Sequence, residues 1–262
     1  MPYLKTDGDV WDLECVDRGR SGIILKLNPT RVLKAPLIIH NMDASEEEKF
    51  EADYLKDDNI SFLENEKATF QRLGYYEHIV EWHALRSGRI KMKYMSYGPL
   101  SRFWQYHTPS RKQLHSWICS IAAAITYAHS RNVIVDDIAA RNILIDDDQS
   151  AKLCDFTDSA VLSFDVDISQ ESQDGASIYT DIFQFGSLVY EIITGKRFDF
   201  DLFHPSDAEE KHGEGIIPYW PDKNQLPLIS HLDYGATILK CWKRGFEDMS
   251  SVNAEIQTYD RL

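Results

Sequence analysis

The sequence has few cysteines, and they are spread along the chain. None belongs to a C-x-x-C pair, so neither a cysteine zinc site nor a disulfide framework is indicated, and the spacing is typical of reduced thiols. Linkers rich in Gly and Ser or in Pro are also missing, as is any repeat of fixed period, which argues against solenoid architectures. The four cysteines are Cys15, Cys119, Cys154 and Cys241.

Positive charge and long hydrophobic runs are scarce as well. With 28 Lys and Arg against 42 Asp and Glu, the formal net charge is −14, which disfavours a partner recognised through its phosphate backbone. The most apolar uncharged stretch, Trp117 to Ala128, is too short to span a bilayer. The first ten residues lack the apolar stretch of a secretory signal. We therefore expect a soluble, cytoplasmic or otherwise intracellular protein without nucleic-acid or membrane partners.

The composition that remains is that of a globular protein. At 262 residues, with 43% hydrophobic and 27% charged residues, the chain has room for one large domain or two lobes. Short runs of β-branched and aromatic residues predict strands in the first 95 residues, and two S-x-x-E capping boxes predict helices over 46–55 and 62–73. The predicted strands are Trp11 to Val16, Ile23 to Leu27, Arg31 to Ala35, Ile79 to Leu85 and Arg89 to Met95.

After Met95 the apolar spacing becomes helical. A stripe at i, i+3, i+4 and i+7 runs from Leu114 to Ala128, and a strongly apolar helix is predicted from Asp181 to Thr194, ended by Gly195. A last helix is predicted from Ala236 to Trp242. We therefore expect a strand-rich lobe over 1–95 and a helical lobe over 96–262, with a ligand-binding crevice between them.

The sharpest local motif is V-D-D-I-A-A-R-N at 135–142, followed thirteen positions later by Asp155-Phe156. Two carboxylates and an amide at the ends of a small hairpin can converge on one point, and such oxygen donors suit Mg²⁺ with substrate phosphates completing its shell. The alternative is a hairpin capped by Asp and Asn side chains. The triplet Asp146-Asp147-Asp148 within the hairpin is interpreted as a solvated turn rather than a metal site.

This motif resembles the catalytic loop and metal-binding aspartate of the protein kinase family. The resemblance implies that Asp137 orients or deprotonates an acceptor hydroxyl, while Asn142 and Asp155 hold Mg²⁺. It also implies that Arg141 serves the acceptor side, since Ala139-Ala140-Arg141 is similar to the tyrosine-kinase form of the loop. ATP and Mg²⁺ are then the expected cofactors, and a protein substrate or binding partner is expected.

Upstream residues follow the same pattern. Lys34 ends a strand similar to V-A-I-K, whose lysine contacts the nucleotide phosphates, and Glu66 matches the helix glutamate that pairs with it. Taken singly, each is compatible with a solvated surface charge, and it is their joint occurrence that favours the ion pair. The stretch D-R-G-R-S-G at 17–22 resembles the glycine loop, with Gly19 and Gly22 able to approach phosphates but Asp17 in place of the first glycine. By resemblance, the remaining nucleotide-binding residues are Ile24, Val32, Met92, Lys93, Met95 and Leu144.

Apolar positions extend the resemblance from about Trp11 to Ile256. D-I-F-Q-F-G at 181–186 resembles the D-x-W-x-x-G helix start, and Cys241-Trp242 resembles a C-W pair in the final helices. The resemblance implies an α+β, bilobal protein-kinase-like fold with a small antiparallel-sheet N-lobe and a mainly helical C-lobe. Four residues match the hydrophobic column that joins the lobes of kinases: Phe70, Trp82, Val135 and Phe156.

The sequence departs from the family at four points. Asp136 replaces the arginine that receives an activation-loop phosphate, so activation by that route is not expected. Thr157 replaces the glycine of D-F-G, which restricts the backbone. Only 26 positions separate Asp155 from Asp181. No A-P-E string occurs, and Met249 stands near the position of its usual arginine partner.

These observations predict an ATP- and Mg²⁺-dependent protein kinase, tyrosine-kinase-like in its catalytic loop. A pseudokinase that acts as a scaffold or allosteric partner is the alternative, because the departures fall on regulation and substrate docking. A small-molecule phosphotransferase of the aminoglycoside or choline kinase kind shares D-x-x-x-x-N, but the A-A-R and C-W strings point away from it. The acidic insert at 43–57 is either a solvated helix or a docking face for a basic partner.

Overall fold

A computed structural model describes residues 3, 5, 6, 9, 11–38, 46–85, 88–203 and 217–261 of the chain. Its first part is a five-stranded antiparallel sheet with the strand order β1-β2-β3-β5-β4. One face of this sheet buries Ile23, Leu25, Leu33 and Ala35. The strands are β1 (Cys15–Arg18), β2 (Gly22–Asn28), β3 (Arg31–Pro36), β4 (Trp82–Ala84) and β5 (Ile90–Lys93).

Two predicted strands begin at least three residues later in the structure than the sequence predicted. β1 begins at Cys15 rather than Trp11, and β4 covers only three residues of the run predicted from Ile79. Ile79 instead forms an isolated parallel bridge with Leu153 of the other lobe. β-branched and aromatic content indicates where a strand can form, whereas the pairing partners decide where it ends.

The two helices predicted over 46–55 and 62–73 form one helix, α1 (Glu46–Leu73). The prediction of a break was wrong because the residues between them include no Gly or Pro, so nothing interrupts the backbone hydrogen bonds. Asn59, in the middle of this helix, is buried and donates to the carbonyl of Leu37 at 2.8 Å. Residues 43–45 of the acidic insert lie outside the described residues, and the rest of it belongs to α1.

The helical lobe is built around two long helices with a buried stripe each. In α3 (Arg111–Ser130) the stripe includes Trp117, Ile121 and Ile125, and Ser110 caps the N-terminus. In α4 (Ile178–Thr194) a Ser177–Thr180 capping box opens the helix, which begins three residues before the predicted Asp181. The other helices are α2 (Leu100–Phe103), α5 (Gly235–Trp242), α6 (Met249–Ile256), and 3-10 turns at Ala140–Asn142 and Gln257–Arg261.

Short strand pairs connect the loops of this lobe. β7 (Val133–Ile134) pairs with β10 (Ala160–Val161), and β8 (Ile143–Ile145) pairs with β6 (Gly98–Pro99) and β9 (Ala151–Leu153). The architecture is therefore the bilobal α+β fold that the sequence predicted. Among the described helices, none combines the length and apolarity that crossing a membrane requires.

Candidate functional site

A buried lysine joins the two lobes. Lys34 of β3 lies with its Nζ 2.7 Å from Glu66 Oε2 of α1 and 2.9 Å from Asp155 Oδ1, which follows β9. Lys34 is 7% exposed and Glu66 is 0% exposed. Burial by itself would lower the pKa of Lys34, but the carboxylates of Glu66 and Asp155 outweigh it and raise that pKa, so the ammonium stays charged. The three side chains therefore form one ion cluster at the lobe boundary.

The sheet and helix register explain why these groups meet. Lys34 is paired with Ile24 on one side and with Ile90 on the other, so β3 is a central strand. Glu66 lies on the buried face of α1 between Leu63 and Phe70, in the helix half that packs against the sheet. Burial raises the pKa of Glu66, although Lys34 acts in the opposite direction.

The segment that carries Asp155 has an unusual backbone. Asp155 has a φ of 62°, a conformation that costs free energy for a residue other than glycine and tends to mark functional sites. The Thr157 hydroxyl donates to Asp155 Oδ1 at 2.6 Å. Lys34 holds the pKa of Asp155 below its usual range even though burial would raise it, and the Thr157 bond acts in the same direction as Lys34.

The aromatic residues around this segment pack as a column. The rings of Phe70 and Phe156 meet edge to face at 5.1 Å, and Phe70 stacks on Trp82 at the same centroid distance. Val135, the fourth residue that the sequence singled out, is also in this buried core. Phe156 thus ties the segment that carries Asp155 to the last turns of α1.

Asp137 and Asn142 lie on one loop and bond to each other. Asn142 Nδ2 donates to Asp137 Oδ2 at 2.7 Å and to the Asp137 carbonyl at 3.0 Å, while Arg141 Nη2 donates to Asp137 Oδ1 at 2.5 Å. The Asn142 carbonyl accepts a bond from the backbone N–H of Cys154 at 2.9 Å. Because Asp155 follows Cys154, the two loops that carry the predicted metal ligands are joined next to those ligands.

Asp181 fixes the start of this loop from below. Its buried carboxylate accepts bonds from the backbone N–H groups of Val135 and Asp136, both at 2.8 Å, and lies 2.8 Å from His129 Nε2. Gln184, one turn further along α4, donates to the Asp136 carbonyl and accepts from the Ile138 N–H. The start of α4 therefore holds the chain on both sides of Asp137.

The side chain of Asp136 lies among other acids. Its Oδ1 atom is buried and finds no hydrogen-bond partner in the described part of the chain. Burial and the nearby carboxylate of Asp181, with smaller effects of Asp158 and Asp137, raise the pKa of Asp136 to about 8. No cation balances this residue among the described side chains around it, so it is not arranged to receive a phosphate group.

The glycine loop lies over the ion cluster. A Cβ atom at Gly22 would stand 3.3 Å from both the Ala35 carbonyl oxygen and Lys34 Cε, so the backbone passes close to the lysine. Gly19 closes the loop by donating to the Gly22 carbonyl at 2.8 Å. Asp17 accepts a local bond from the Arg18 N–H at 2.8 Å. Arg20, which the sequence did not single out, pairs with Asp158 at 2.6 Å.

The apolar residues assigned to the nucleotide base line the adjoining core. Val32, Met92 and Met95 are buried, and Ile24 and Leu144 are partly buried against the same cluster. The side chain of Lys93 pairs with Asp146 at 2.6 Å. Asp146 is buried, and the Asp148 carboxylate accepts from the Ser150 N–H at 2.9 Å, so the acidic triplet forms a turn.

An open cavity of about 250 Å³ lies beside Asp137. Its walls come from the loop over 137–141, from α4 and from residues 197–203, and they include Arg141 and several phenylalanine rings. No residue of 156–177 is among the residues that line it. Sequence analysis missed the part played by 197–203, because isolated phenylalanines in a loop carry no motif.

The donor set around the cluster suits Mg²⁺. Asn142 and Asp155 offer amide and carboxylate oxygens, and a hard cation accepts few protein ligands when phosphates and waters complete its shell. Lys34 adds a charged donor for phosphate. Among the described residues, no group of three or more His, Cys, Asp and Glu side chains is placed to hold a metal without such help.

Comparison with known proteins agrees with this arrangement. The family model described as protein tyrosine and serine/threonine kinase matches residues 49–174. The tyrosine-protein kinase FRK of Homo sapiens is 31% identical over 56% of this chain and 32% of its own length. The ephrin type-A receptor 3 of Danio rerio is 27% identical over 66% of this chain and 19% of its own length.

A match along nearly the whole chain also exists. The tyrosine-protein kinase receptor svh-2 of Caenorhabditis elegans is 25% identical over 98% of this chain, which corresponds to 25% of that receptor. The chain thus spans a third or less of the length of these three relatives.

Proposed function

Because this chain belongs to the eukaryotic-type protein kinase family, we propose that it is an ATP- and Mg²⁺-dependent phosphotransferase that acts on hydroxyl groups of proteins. The observation that carries the proposal is the buried cluster of Lys34, Glu66 and Asp155, with Nζ–O distances of 2.7 and 2.9 Å. Removing a lysine and two carboxylates from water is costly unless their charges are used together. A bound triphosphate with its cation would use these charges, since Lys34 would bind the phosphates and Asp155 would bind the cation.

Each residue of the site has a distinct part in the proposed reaction. Lys34, oriented by Glu66, binds the phosphates of ATP. Asn142 and Asp155 would hold Mg²⁺, which neutralises charge on the phosphates when it is bound. Asp137 accepts the proton of the acceptor hydroxyl as the new O–P bond forms and the bond to the ADP leaving group breaks. Asn142, bonded to Asp137 Oδ2 at 2.7 Å, keeps that carboxylate oriented.

Transfer of labelled phosphate tests this proposal. Wild type should label general protein substrates. Asp137→Asn should lose at least about a hundredfold in rate, since general base catalysis contributes roughly that much, and Lys34→Met should also lose rate because the phosphates lose their charged donor. Lys112→Met, which changes an exposed lysine on α3, is the matched control and should keep wild-type activity. Equal labelling by wild type and Asp137→Asn would remove the proposal.

The acceptor is expected to be tyrosine. Ala139 stands two positions after Asp137, where serine/threonine kinases generally have a lysine, and two of the relatives are named tyrosine-protein kinases or receptors of that kind. Phosphoamino acid analysis of a labelled substrate tests this expectation. Phosphoserine or phosphothreonine as the main product would reject it.

Phosphorylation of the segment after Asp155 is not expected to be needed. Asn65 Nδ2 donates to the Thr157 and Ser159 carbonyls, both at 2.9 Å, and Arg72 donates to the Leu162 carbonyl at 2.7 Å. These bonds order the segment without a phosphate, and Asp136 would repel one. Protein treated with phosphatase should therefore transfer phosphate as fast as untreated protein.

A pseudokinase that serves as a scaffold is the second candidate. It is favoured by the Arg141–Asp137 ion pair at 2.5 Å, which occupies the proposed base. Thermal unfolding with nucleotide separates the candidates. ATP analogue with Mg²⁺ at about a hundredfold its Kd should stabilise a nucleotide-binding protein by roughly 2.7 kcal/mol, and stabilisation without any phosphate transfer would select the nucleotide-binding scaffold.

A further inference from the structure

Thr157 places a hydroxyl group inside the buried ion cluster. Its Oγ1 donates to Asp155 Oδ1 at 2.6 Å and accepts from Lys34 Nζ at 3.3 Å, and it lies 3.5 Å from Glu66 Oε2. The residue is 7% exposed. Thr157 therefore contacts all three charged groups of the cluster, and its short bond goes to the carboxylate that we assign to the cation.

The position of this hydroxyl is fixed from two directions. Asn65 of α1 donates to the Thr157 carbonyl at 2.9 Å, which holds the backbone. A β-branched side chain has few rotamers, so the fixed backbone limits where Oγ1 can go. Asp155 has a left-handed backbone with a φ of 62°, a conformation that persists only where surrounding contacts hold it.

The bonds to the Asp155 carboxylate fall on one of its two oxygens. Oδ1 accepts from Lys34 Nζ at 2.9 Å, from the Thr157 hydroxyl at 2.6 Å and from the Thr157 N–H at 3.4 Å. In the described part of the chain, the hydrogen bonds recorded for this carboxylate all end on Oδ1. Oδ2 is thereby left available for a ligand, while rotation about the Cβ–Cγ bond is restrained by Thr157.

We propose that Thr157 is a positioning residue that fixes the Asp155 carboxylate with Oδ1 engaged and Oδ2 open to the divalent cation accompanying the nucleotide. The inference rests on the proposed function, because it concerns the cation of the nucleotide complex. It assigns to the hydroxyl of Thr157 a part that a glycine at this position cannot play. Partners that orient a ligand of a metal typically contribute 10–100-fold to the metal affinity.

The matched pair Thr157→Ser and Thr157→Val tests the hydroxyl. Serine keeps it, whereas valine keeps the branched shape and removes it. The binding of a non-hydrolysable ATP analogue is measured by titration calorimetry at a series of Mg²⁺ concentrations and in EDTA. Thr157→Val should need about tenfold more Mg²⁺ for the same nucleotide affinity, Thr157→Ser should behave as wild type, and affinity in EDTA should be the same for all three proteins.

Other outcomes separate the two proposals. If wild type gains affinity with Mg²⁺ but Thr157→Val needs no more Mg²⁺ than Thr157→Ser, the positioning role is overturned and the proposed function stands. If wild type binds no nucleotide with or without Mg²⁺, the proposed function is overturned and this inference with it. Thermal unfolding shows that each variant is folded, and Thr157→Ala replaces the valine variant if that one is not.

Discussion

At the scale of the residue, the stability of the site depends on how the buried charge of Lys34 is balanced by carboxylates. Both of its carboxylate partners come from outside its own sheet, one from α1 and one from the segment after β9. A buried ion pair contributes little net stability against an apolar replacement, but removing one member leaves an uncompensated charge. The three residues should therefore respond to substitution as a unit.

Lys34→Met should lower the free energy of unfolding by about 3–5 kcal/mol, because Glu66 then stays buried without a cation. Adding Glu66→Leu to the same chain should recover part of that loss although it removes a second polar residue. Urea unfolding of the two single variants, the double variant and wild type measures the coupling. If the double variant is as unstable as the sum of the two singles, the residues do not act as a unit.

Asp136 should make the protein less stable as the pH rises. Its pKa is about 8 in the fold against 3.8 ordinarily, so between about pH 4 and pH 8 the folded state holds a proton that the unfolded state has lost, and stability falls across this window. Asp136→Asn removes the titration. Its stability advantage over wild type should be greater at pH 8 than at pH 5 by roughly 3–4 kcal/mol, since each pH unit within this window corresponds to about 1.4 kcal/mol.

Urea unfolding at the two pH values checks the Asp136 effect. Asp165→Asn, which removes an exposed acid of the following segment, serves as control and should change stability equally at both pH values. A wild-type protein whose stability is the same at pH 5 and pH 8, after correction for the control, contradicts the expectation.

At the scale of the element, α1 connects what the sequence described as separate parts. It carries Glu66 for the ion cluster, Phe70 for the aromatic column and Asn65 for the segment after Asp155. The capping signals read from the sequence are local, and a helix that already has hydrogen bonds on both sides of a serine does not use them. The predicted break at 56–61 failed for that reason.

Asn65→Ala should loosen the segment after Asp155, since the Thr157 and Ser159 carbonyls each lose the bond that they accept from Nδ2. Amide hydrogen exchange over 157–164 should become faster by about tenfold, as expected for the loss of roughly 1–2 kcal/mol of local hydrogen bonding. Glu64→Ala, one residue earlier, removes only an exposed pair with Lys67 and should leave this exchange unchanged.

How much of the site was predictable depends on whether its contacts are encoded by a motif. We could propose Lys34, Glu66 and Asp155 together because each stands in a recognisable local motif. In the structure, Lys34 Nζ lies within 3 Å of a carboxylate oxygen of each of the other two. The Arg20–Asp158 pair joins positions 138 residues apart through two ordinary surface charges. Nothing in the local sequence distinguishes such a pair from any other, and only the packing of the two lobes selects it.

At the scale of the whole molecule, the order of the lobes followed from runs of β-branched and aromatic residues before Met95 and from helical apolar spacing after it. Such runs favour strands and a period of 3.6 buries one helix stripe, so the composition and spacing of apolar residues indicate these large features. The wall formed by 197–203 beside Asp137 was not predictable in this way, because it results from aromatic contacts such as Phe198 with Trp242 at 4.3 Å.

The four cysteines differ in accessibility, so the rate at which each thiol is alkylated reports how often the fold around it opens. Cys154 and Cys241 are buried while Cys15 and Cys119 are partly exposed, and burial raises the pKa values of Cys154 and Cys241, which makes them slow nucleophiles. An alkylating reagent should therefore modify Cys15 and Cys119 rapidly. It should modify Cys154 and Cys241 only when the fold opens. Cys154 stands directly before Asp155, and its Sγ bonds to the Asn142 carbonyl at 3.2 Å. Bound Mg²⁺ and nucleotide should therefore delay the alkylation of Cys154. Mass spectrometry measures this delay, with the alkylation of Cys241 as the internal reference.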